Sequence, residues 1–238
     1  MKKIKFVTVD NNAKFCNEYN LLQSAKLNNI DIEVLGKGVE WEWFITKLKV
    51  LNEFLPNVTE EYICFTDSRD VLFLNNEEEI WKVYEKHFYN KIVFNTEMYC
   101  YPHSTFQKYY PINKIKYKYL NSGCYIGPTD KVKELVNESL IIYKEQLDND
   151  DQSLYQKIYL FRELKQHITL DQDCILFQSL CSEDDLLFGD TTILNKHTNS
   201  SPLIFHGNGK KDMTNVVKVI GRKFGIEKLD EVFNLNLI

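Results

Sequence analysis

The 238-residue chain is poor in the features that mark several protein classes. Five prolines and nine glycines are thinly spread, so no flexible linker divides the chain and one domain over residues 1–238 is predicted. No apolar run approaches the length of a membrane span. The six cysteines include no Cys-x-x-Cys pair, which argues against a disulfide framework. Four of them lie beside or within apolar runs and are predicted to be buried free thiols: Cys64, Cys100, Cys124 and Cys174.

The chain also lacks an excess of positive charge, because 34 Asp and Glu residues outnumber 29 Lys and Arg residues, which gives a net charge of -5. This balance argues against a nucleic-acid partner, and no polybasic cluster indicates a membrane surface. The basic start "MKKIK" is followed by only a short apolar stretch before Asp10, too short for a signal peptide. We therefore expect a strand there, and a cytoplasmic location in a host cell or in a viral compartment.

Strand and helix patterns alternate along the first half of the chain. Apolar runs predict strands at 4–10, 30–36, 61–67, 91–97, 118–128 (a short strand between glycines), 174–180, 191–195 and 201–209. Helical spacing predicts helices at 17–29, 43–55, 76–88, 130–147, 150–161 and 213–225. The order predicts an α/β fold with a Rossmann-like, mostly parallel central sheet flanked by helices.

The stretch "YICFTDSRDVLF" places Asp67 and Asp70 directly after a predicted buried strand. Open α/β sheets bind ligands at the carboxyl ends of their strands, and carboxylate oxygens suit Mn²⁺ or Mg²⁺. An isolated Asp-x-x-Asp is more often a turn or a helix cap, since Asp satisfies loose backbone donors. The remaining segments decide between these interpretations.

In "LIFHGNGKK" a predicted strand runs into His206, followed by a Gly-Asn-Gly turn and two lysines. An imidazole can complete a metal site with two carboxylates, and the turn with its lysines can meet an anion. The stretch "LDNDDQSLYQ" holds more carboxylate and amide groups at a helix start than capping needs. Asn121 lies at a glycine turn in "YLNSGCYIG".

Taken together and in this order, these segments resemble the glycosyltransferase domain of the procollagen lysyl hydroxylase/glucosyltransferase family. The resemblance covers residues 4–211 and leaves 212–238 as a C-terminal helix and tail. It implies a GT-A-like fold and a retaining hexosyltransferase. The implied reaction moves glucose from UDP-glucose to galactosyl-hydroxylysine of a collagen-like polypeptide with Mn²⁺, or Mg²⁺ as the alternative.

The resemblance also implies a role for individual residues. The metal positions are Asp67, Asp70 and His206. The positions that bind the nucleotide and the donor sugar are Val9, Trp41, Ser68, Arg69, Asn121, Gly209, Lys210 and Lys211. Tyr101 is grouped with them and presents an aromatic ring toward the acceptor. The catalytic positions are Asp150, Asp151 and Gln152, with Glu97 on the acceptor side.

This chain departs from the family pattern at two of these positions. Arg69 stands where a tyrosine usually packs on the nucleoside, and Tyr101 stands where a tryptophan is common. A guanidinium can still stack on a base.

Several alternatives stay open on the residues alone. Retention of configuration at the anomeric carbon can proceed through a covalent intermediate. It can also proceed by attack of the acceptor hydroxyl on the same face from which the leaving group departs. The donor can be UDP-galactose with hydroxylysine as acceptor, and the chain can be a metal-dependent UDP-sugar hydrolase or phosphodiesterase, or a non-catalytic glycan-binding module. The oligomeric state is also open.

Overall fold

The computed structural model describes residues 4–12, 20–112, 114–209 and 211–235, so Lys210 lies outside the described residues. Its α-helices are α1 (Asn20–Leu27), α2 (Ile45–Phe54), α3 (Glu77–Phe88), α4 (Thr129–Gln146), α5 (Asp151–Phe161) and α6 (Thr214–Phe224). Each one corresponds to a helix predicted from apolar spacing. No helix in these ranges has both the length and the apolar character needed to cross a membrane.

The strands fall into a large sheet and two small ones. They are β1 (Ile4–Val9), β2 (Ile32–Leu35), β3 (Tyr62–Thr66), β4 (Val71–Phe73), β5 (Ile92–Glu97), β6 (Tyr119–Pro128), β7 (Ile168–Leu170), β8 (Phe177–Ser179), β9 (Leu186–Phe188), β10 (Ile193–Asn195) and β11 (Ile204–His206). Three of them, β4, β7 and β9, are missed by the sequence patterns. Each spans three residues, which is too short to show a period.

The large sheet has the strand order β2-β1-β3-β6-β5-β7. β1 is parallel to β2 and β3, and β5 is parallel to β7, whereas β6 runs antiparallel to both of its neighbours. The prediction of an α/β fold with a mostly parallel central sheet is therefore confirmed. β6 is the exception that reverses direction in the middle of the sheet.

β6 also differs from the short strand that its glycines suggested, because it has ten residues and all of them are buried. Its glycines lie inside the strand, where other groups approach closely. A Cβ atom on Gly127 would lie 2.9 Å from Cα of Ile92, and one on Gly123 would lie 2.2 Å from Cε1 of His206. Glycine within a strand here marks a close approach rather than the end of the strand.

Alternate residues of the strands pack on opposite faces of the large sheet, as the pleat requires. Val7 and Phe65 belong to a core with residues of α2, α4 and α5. Phe6 and Cys64 belong to a second core with residues of α1 and α3. The four cysteines predicted to be buried free thiols are buried and free.

A three-stranded sheet, β4-β11-β8, lies beside the end of the large one. α6 packs behind it in a third apolar cluster that includes Phe205 and Val216. The carboxyl ends of β1, β3 and β5 and the amino half of β6 meet at one edge of the large sheet, since Thr66 pairs with Cys124 and Glu97 pairs with Tyr119. β11 ends beside this edge.

Candidate active site

The three predicted metal ligands come together where β3 and β11 end. One ligand atom each from Asp67, Asp70 and His206 lies within 4.8 Å of the other two. Nε2 of His206 is 3.8 Å from Oδ2 of Asp67 and 3.5 Å from Oδ2 of Asp70. Two carboxylate oxygens and one imidazole nitrogen form a donor set that suits Mn²⁺ or Mg²⁺, so these residues fit the implied cation. We call this group the metal corner.

Backbone hydrogen bonds hold the metal corner in place. The N–H of Asp67 donates to the carbonyl of Gly123 on β6, at 2.7 Å. The N–H of Gly207 donates to the carbonyl of Asp70, also at 2.7 Å. The loop after β3 is therefore tied both to the large sheet and to the turn after β11.

The imidazole of His206 is oriented from behind by Asn121. Oδ1 of Asn121 accepts a hydrogen bond from the N–H of Gly123 at 3.1 Å and lies 3.0 Å from Nδ1 of His206. An amide oxygen can only accept, so a hydrogen bond here requires a proton on Nδ1, which leaves Nε2 to face the metal corner. Asn121, predicted to meet the donor sugar, thus lies behind a predicted metal ligand.

The charges of the metal corner act on one another. Burial works to lower the pKa of His206, but the carboxylates of Asp70 and Asp67 outweigh it and raise that pKa. Burial works to raise the pKa of Asp70, and the imidazole of His206 outweighs it, so that pKa is lowered. A divalent cation bound here would replace the proton that these groups share.

A second group of polar side chains, which we call the amide edge, comprises Glu97, Asn121, Asp151 and Gln152. Oε1 of Glu97 accepts from Nδ2 of Asn121 at 3.2 Å and from Nε2 of Gln152 at 2.8 Å. Its Oε2 accepts from Nδ2 of Asn208 at 3.1 Å. Glu97 therefore ties together β5, β6, α5 and the turn after β11, and its pKa is raised by burial against these donors.

The start of α5 docks on β6 through the predicted catalytic residues. Oδ1 of Asp150 caps the helix by accepting from the N–H of Ser153 at 2.9 Å, as its capping interpretation predicts. Asp151 is buried and accepts from its neighbour's N–H at 2.9 Å. Oε1 of Gln152 accepts from the N–H of Ser122 at 3.0 Å. Burial raises the pKa of both Asp150 and Asp151.

Lys47, on α2, is a site residue that the sequence interpretation missed. Its buried Nζ lies 2.7 Å from Oδ2 of Asp151 and 2.9 Å from Oδ1 of Asp67. Burial works to lower the pKa of this lysine, but the two carboxylates outweigh it and raise the pKa above its usual value. The available signal was its position one helical turn before Leu51, which places a charged residue on the buried stripe of α2.

The residues predicted to bind the nucleoside lie near the end of β1. Nε of Arg69 donates to Oδ2 of Asp10 at 3.0 Å, and Oγ of Ser68 donates to the same oxygen at 2.8 Å. Asp10 is buried, whereas the side chain of Arg69 is 60% exposed. Asp10 was also missed, although it ends a predicted strand as Asp67 does. Val9 is placed differently from the rest, because its side chain lies in the core beneath the edge.

The remaining predicted residues are exposed. Trp41 is partly exposed in the loop between β2 and α2, and Tyr101 is largely exposed while its carbonyl accepts from Nε2 of Gln152 at 2.7 Å. Gly209 adopts a left-handed φ of 71° in the turn after β11, which glycine favours. The N–H of Lys211 donates to the carbonyl of Gly207 at 3.0 Å, which places this lysine beside the turn.

Known proteins resemble this chain in both sequence and fold. A relative from Caenorhabditis elegans, named multifunctional procollagen lysine hydroxylase and glycosyltransferase, is 30% identical over 209 residues, covering 79% of this chain and 28% of that protein. Uncharacterized protein R699 of Acanthamoeba polyphaga mimivirus is 32% identical over 199 residues, covering 78% of this chain and 41% of that protein. The chain thus spans less than half of the length of these relatives.

One solved structure shows the same fold at low sequence identity. It is a glycosyltransferase involved in the glycosylation of the major capsid of PBCV-1, with a TM-score of 0.55 and 11% identity, covering 92% of this chain and 98% of that one. The predicted GT-A-like fold is confirmed. The family described as the PLOD GT domain matches residues 1–221. The chain therefore belongs to this family of glycosyltransferase domains, as its motifs predicted.

Proposed function

We propose that the chain is a metal-dependent, retaining hexosyltransferase that moves glucose from UDP-glucose to galactosyl-hydroxylysine of collagen-like polypeptides. The observation that carries this proposal is the metal corner, where Asp67, Asp70 and His206 converge within 4.8 Å beside a polar edge. The family match and the printed name of the nematode relative support the choice of reaction and acceptor.

The metal corner and the turn after β11 would receive the diphosphate. A divalent cation held by Asp67, Asp70 and His206 supplies positive charge for the departing UDP, and Mn²⁺ is the first choice with Mg²⁺ as the alternative. The N–H of Gly207 in the glycine turn donates to the carbonyl of Asp70, so the turn borders the metal corner, and Lys211 follows it. A lysine there offsets negative charge as the sugar–phosphate bond breaks.

The start of α5 would meet the donor sugar. In the transfer the C1–oxygen bond to the diphosphate breaks, a C1–oxygen bond to the acceptor hydroxyl forms, and the hydroxyl proton passes to the departing phosphate. Asp150 is half-buried, whereas Asp151 is buried and bonded to Lys47. Asp150 is therefore the better placed carboxylate to stabilise positive charge that develops on the sugar ring.

Exposed aromatic rings would meet the acceptor. Tyr101 is 58% exposed and Tyr99, two residues before it, is 65% exposed. Both follow β5 directly, next to Glu97 of the amide edge. Aromatic faces pack well on the apolar faces of sugar rings, so this segment suits a glycosylated peptide.

Release of UDP tests the proposal. The chain is incubated with Mn²⁺ and either UDP-glucose or UDP-galactose, with and without a galactosyl-hydroxylysine peptide. We expect release from UDP-glucose that rises strongly with the peptide, because a transferase needs its acceptor to turn over. Release from UDP-galactose with a hydroxylysine peptide would favour that alternative, release that ignores every acceptor would favour the hydrolase, and no release from either sugar would contradict the proposal.

A further inference from the structure

We infer that Lys47 is a positioning residue that couples the metal corner to the start of α5. A single buried ammonium pairs with Asp67 of the metal corner at 2.9 Å and with Asp151 of the amide edge at 2.7 Å. These carboxylates belong to different elements, the loop after β3 and the first turn of α5. The inference rests on the proposed function for its catalytic consequence, but its geometry stands on these contacts alone.

The ammonium is enclosed rather than solvated. Lys47 is 5% exposed, and its Nζ lies 5.1 Å from the ring centroid of Phe44 and 5.9 Å from that of Phe65. Water therefore does not compete for its hydrogen bonds, and the pairing is stronger and more directional than on the surface. An exposed lysine in the same helix turn would not hold two carboxylates in fixed positions.

Lys47 determines which oxygen of Asp67 faces the cation site. The ammonium bonds to Oδ1, while Oδ2 is the oxygen near Nε2 of His206. A carboxylate held in this way presents one oxygen to a cation in a defined direction. The lysine thus orients a ligand of the metal corner without itself touching the cation.

The same ammonium balances the charge of Asp151. That carboxylate is 4% exposed, and its Oδ1 accepts from the N–H of Gln152 and lies 3.4 Å from Oγ of Ser122. Removing the ammonium would leave a buried carboxylate without its ion-pair partner, which forces Asp151 to protonate or to move. Since Gln152 and Asp150 flank Asp151 in the chain, such a movement would displace the residues that would meet the sugar.

A double-mutant cycle with Lys47→Met and Asp151→Asn tests this coupling. Lys49→Met is the matched control, because Lys49 lies on the same helix, is 43% exposed and pairs with Glu42. Each variant is measured for its unfolding temperature without added metal, and for kcat and KM with UDP-glucose well below that temperature. We expect Lys47→Met to lower the unfolding temperature by about 10 °C, because it breaks a buried ion pair.

We further expect Lys47→Met to lower kcat by about 100-fold in the native background and only a few-fold in the Asp151→Asn background, since a neutral side chain needs no ion pair. Lys49→Met should change neither property. A kcat of Lys47→Met equal to that of the native chain would overturn the positioning role. So would a decrease in unfolding temperature that is the same in the native and the Asp151→Asn backgrounds. If the native chain releases no UDP from any donor, the proposed function fails, and the cycle in unfolding temperature still decides whether Lys47 acts through Asp151.

Discussion

The metal corner and the amide edge are neighbours at one edge of the sheet, yet they use carboxylates in opposite ways. In the metal corner, the side chains of Asp67 and Asp70 are 26% and 35% exposed and crowd one oxygen each against Nε2 of His206. In the amide edge, Glu97 and Asp151 are 6% and 4% exposed, and amide, hydroxyl and ammonium donors occupy their oxygens.

The difference shows what each region can do. Partly exposed carboxylates that converge on one imidazole offer several acceptor atoms to a cation, so the metal corner is suited to binding. Buried carboxylates whose oxygens are already bonded hold segments of the chain in fixed positions, so the amide edge is suited to alignment. Substitutions should therefore affect binding in the first region and stability or kcat in the second.

The largest effect is expected from the metal corner itself. Asp70→Asn removes a charged ligand, and we expect UDP release to fall by about a thousandfold, since the charge stabilisation by a bound cation is worth several kcal/mol. Asp70 is partly exposed, so the unfolding temperature should change little. Asp190→Asn is the matched control, because the side chain of Asp190 is 99% exposed and Asp190 has no predicted role in the site. Unchanged Mn²⁺-dependent release in Asp70→Asn would remove the distinction between the two regions.

The start of α5 sharpens the comparison, because two adjacent aspartates should respond differently. Asp150→Asn keeps a good helix cap, so we expect an unchanged unfolding temperature and a kcat lowered by about 100-fold through lost charge stabilisation of the sugar. Asp151→Asn breaks the pair with Lys47, so it should lower the unfolding temperature as well. Thermal unfolding and steady-state kinetics of both variants test whether the two aspartates differ in this way. A stable Asp151→Asn and an unstable Asp150→Asn would reverse the assignment of roles.

A methyl group on β6 should weaken the metal corner without touching a ligand. In Gly123→Ala the new Cβ would lie 2.2 Å from Cε1 of His206, so the imidazole must move. We expect Mn²⁺ affinity, measured by calorimetry, to fall by about 10- to 100-fold, as for other changes behind metal ligands. Gly225→Ala is the control, because its Cβ meets nothing within 4 Å and its φ of 66° strains the backbone far from the corner. Equal Mn²⁺ affinity in Gly123→Ala and the native chain would contradict the close packing of His206.

The smallest effect is expected at Arg69, which is predicted to contact the nucleoside and whose side chain is 60% exposed. Arg69→Gln removes the guanidinium that Asp10 holds. We expect the affinity for UDP to fall by only about 3- to 10-fold, because a single stacking contact between the guanidinium and the base is lost. The affinity for Mn²⁺ alone should not change. Titration of UDP at saturating Mn²⁺ measures the first value. A loss of Mn²⁺ binding in this variant would mean that Arg69 supports the metal corner rather than the base.

How far the sequence predicted this arrangement depended on the range of each interaction. The metal corner was predicted because Asp67 and His206 each follow an apolar strand, a pattern that is local in the sequence. Lys47 was missed because its partners are distant in the chain and a lone charge next to apolar residues resembles a surface position. Asp10 was missed, although it also ends a predicted strand, because no second carboxylate follows it as Asp70 follows Asp67. The direction of β6 was missed for a related reason, since antiparallel pairing with β3 and β5 depends on contacts between distant segments.

One titration tests the central claim most directly. UDP binding is measured by calorimetry for the native chain and for His206→Ala, each with Mn²⁺ and with a chelator in its place. We predict binding to the native chain that depends on Mn²⁺ and is lost in His206→Ala, because the imidazole completes the metal corner. UDP binding that is equal with Mn²⁺ and with chelator, and is retained in His206→Ala, would contradict a metal-dependent nucleotide-sugar site.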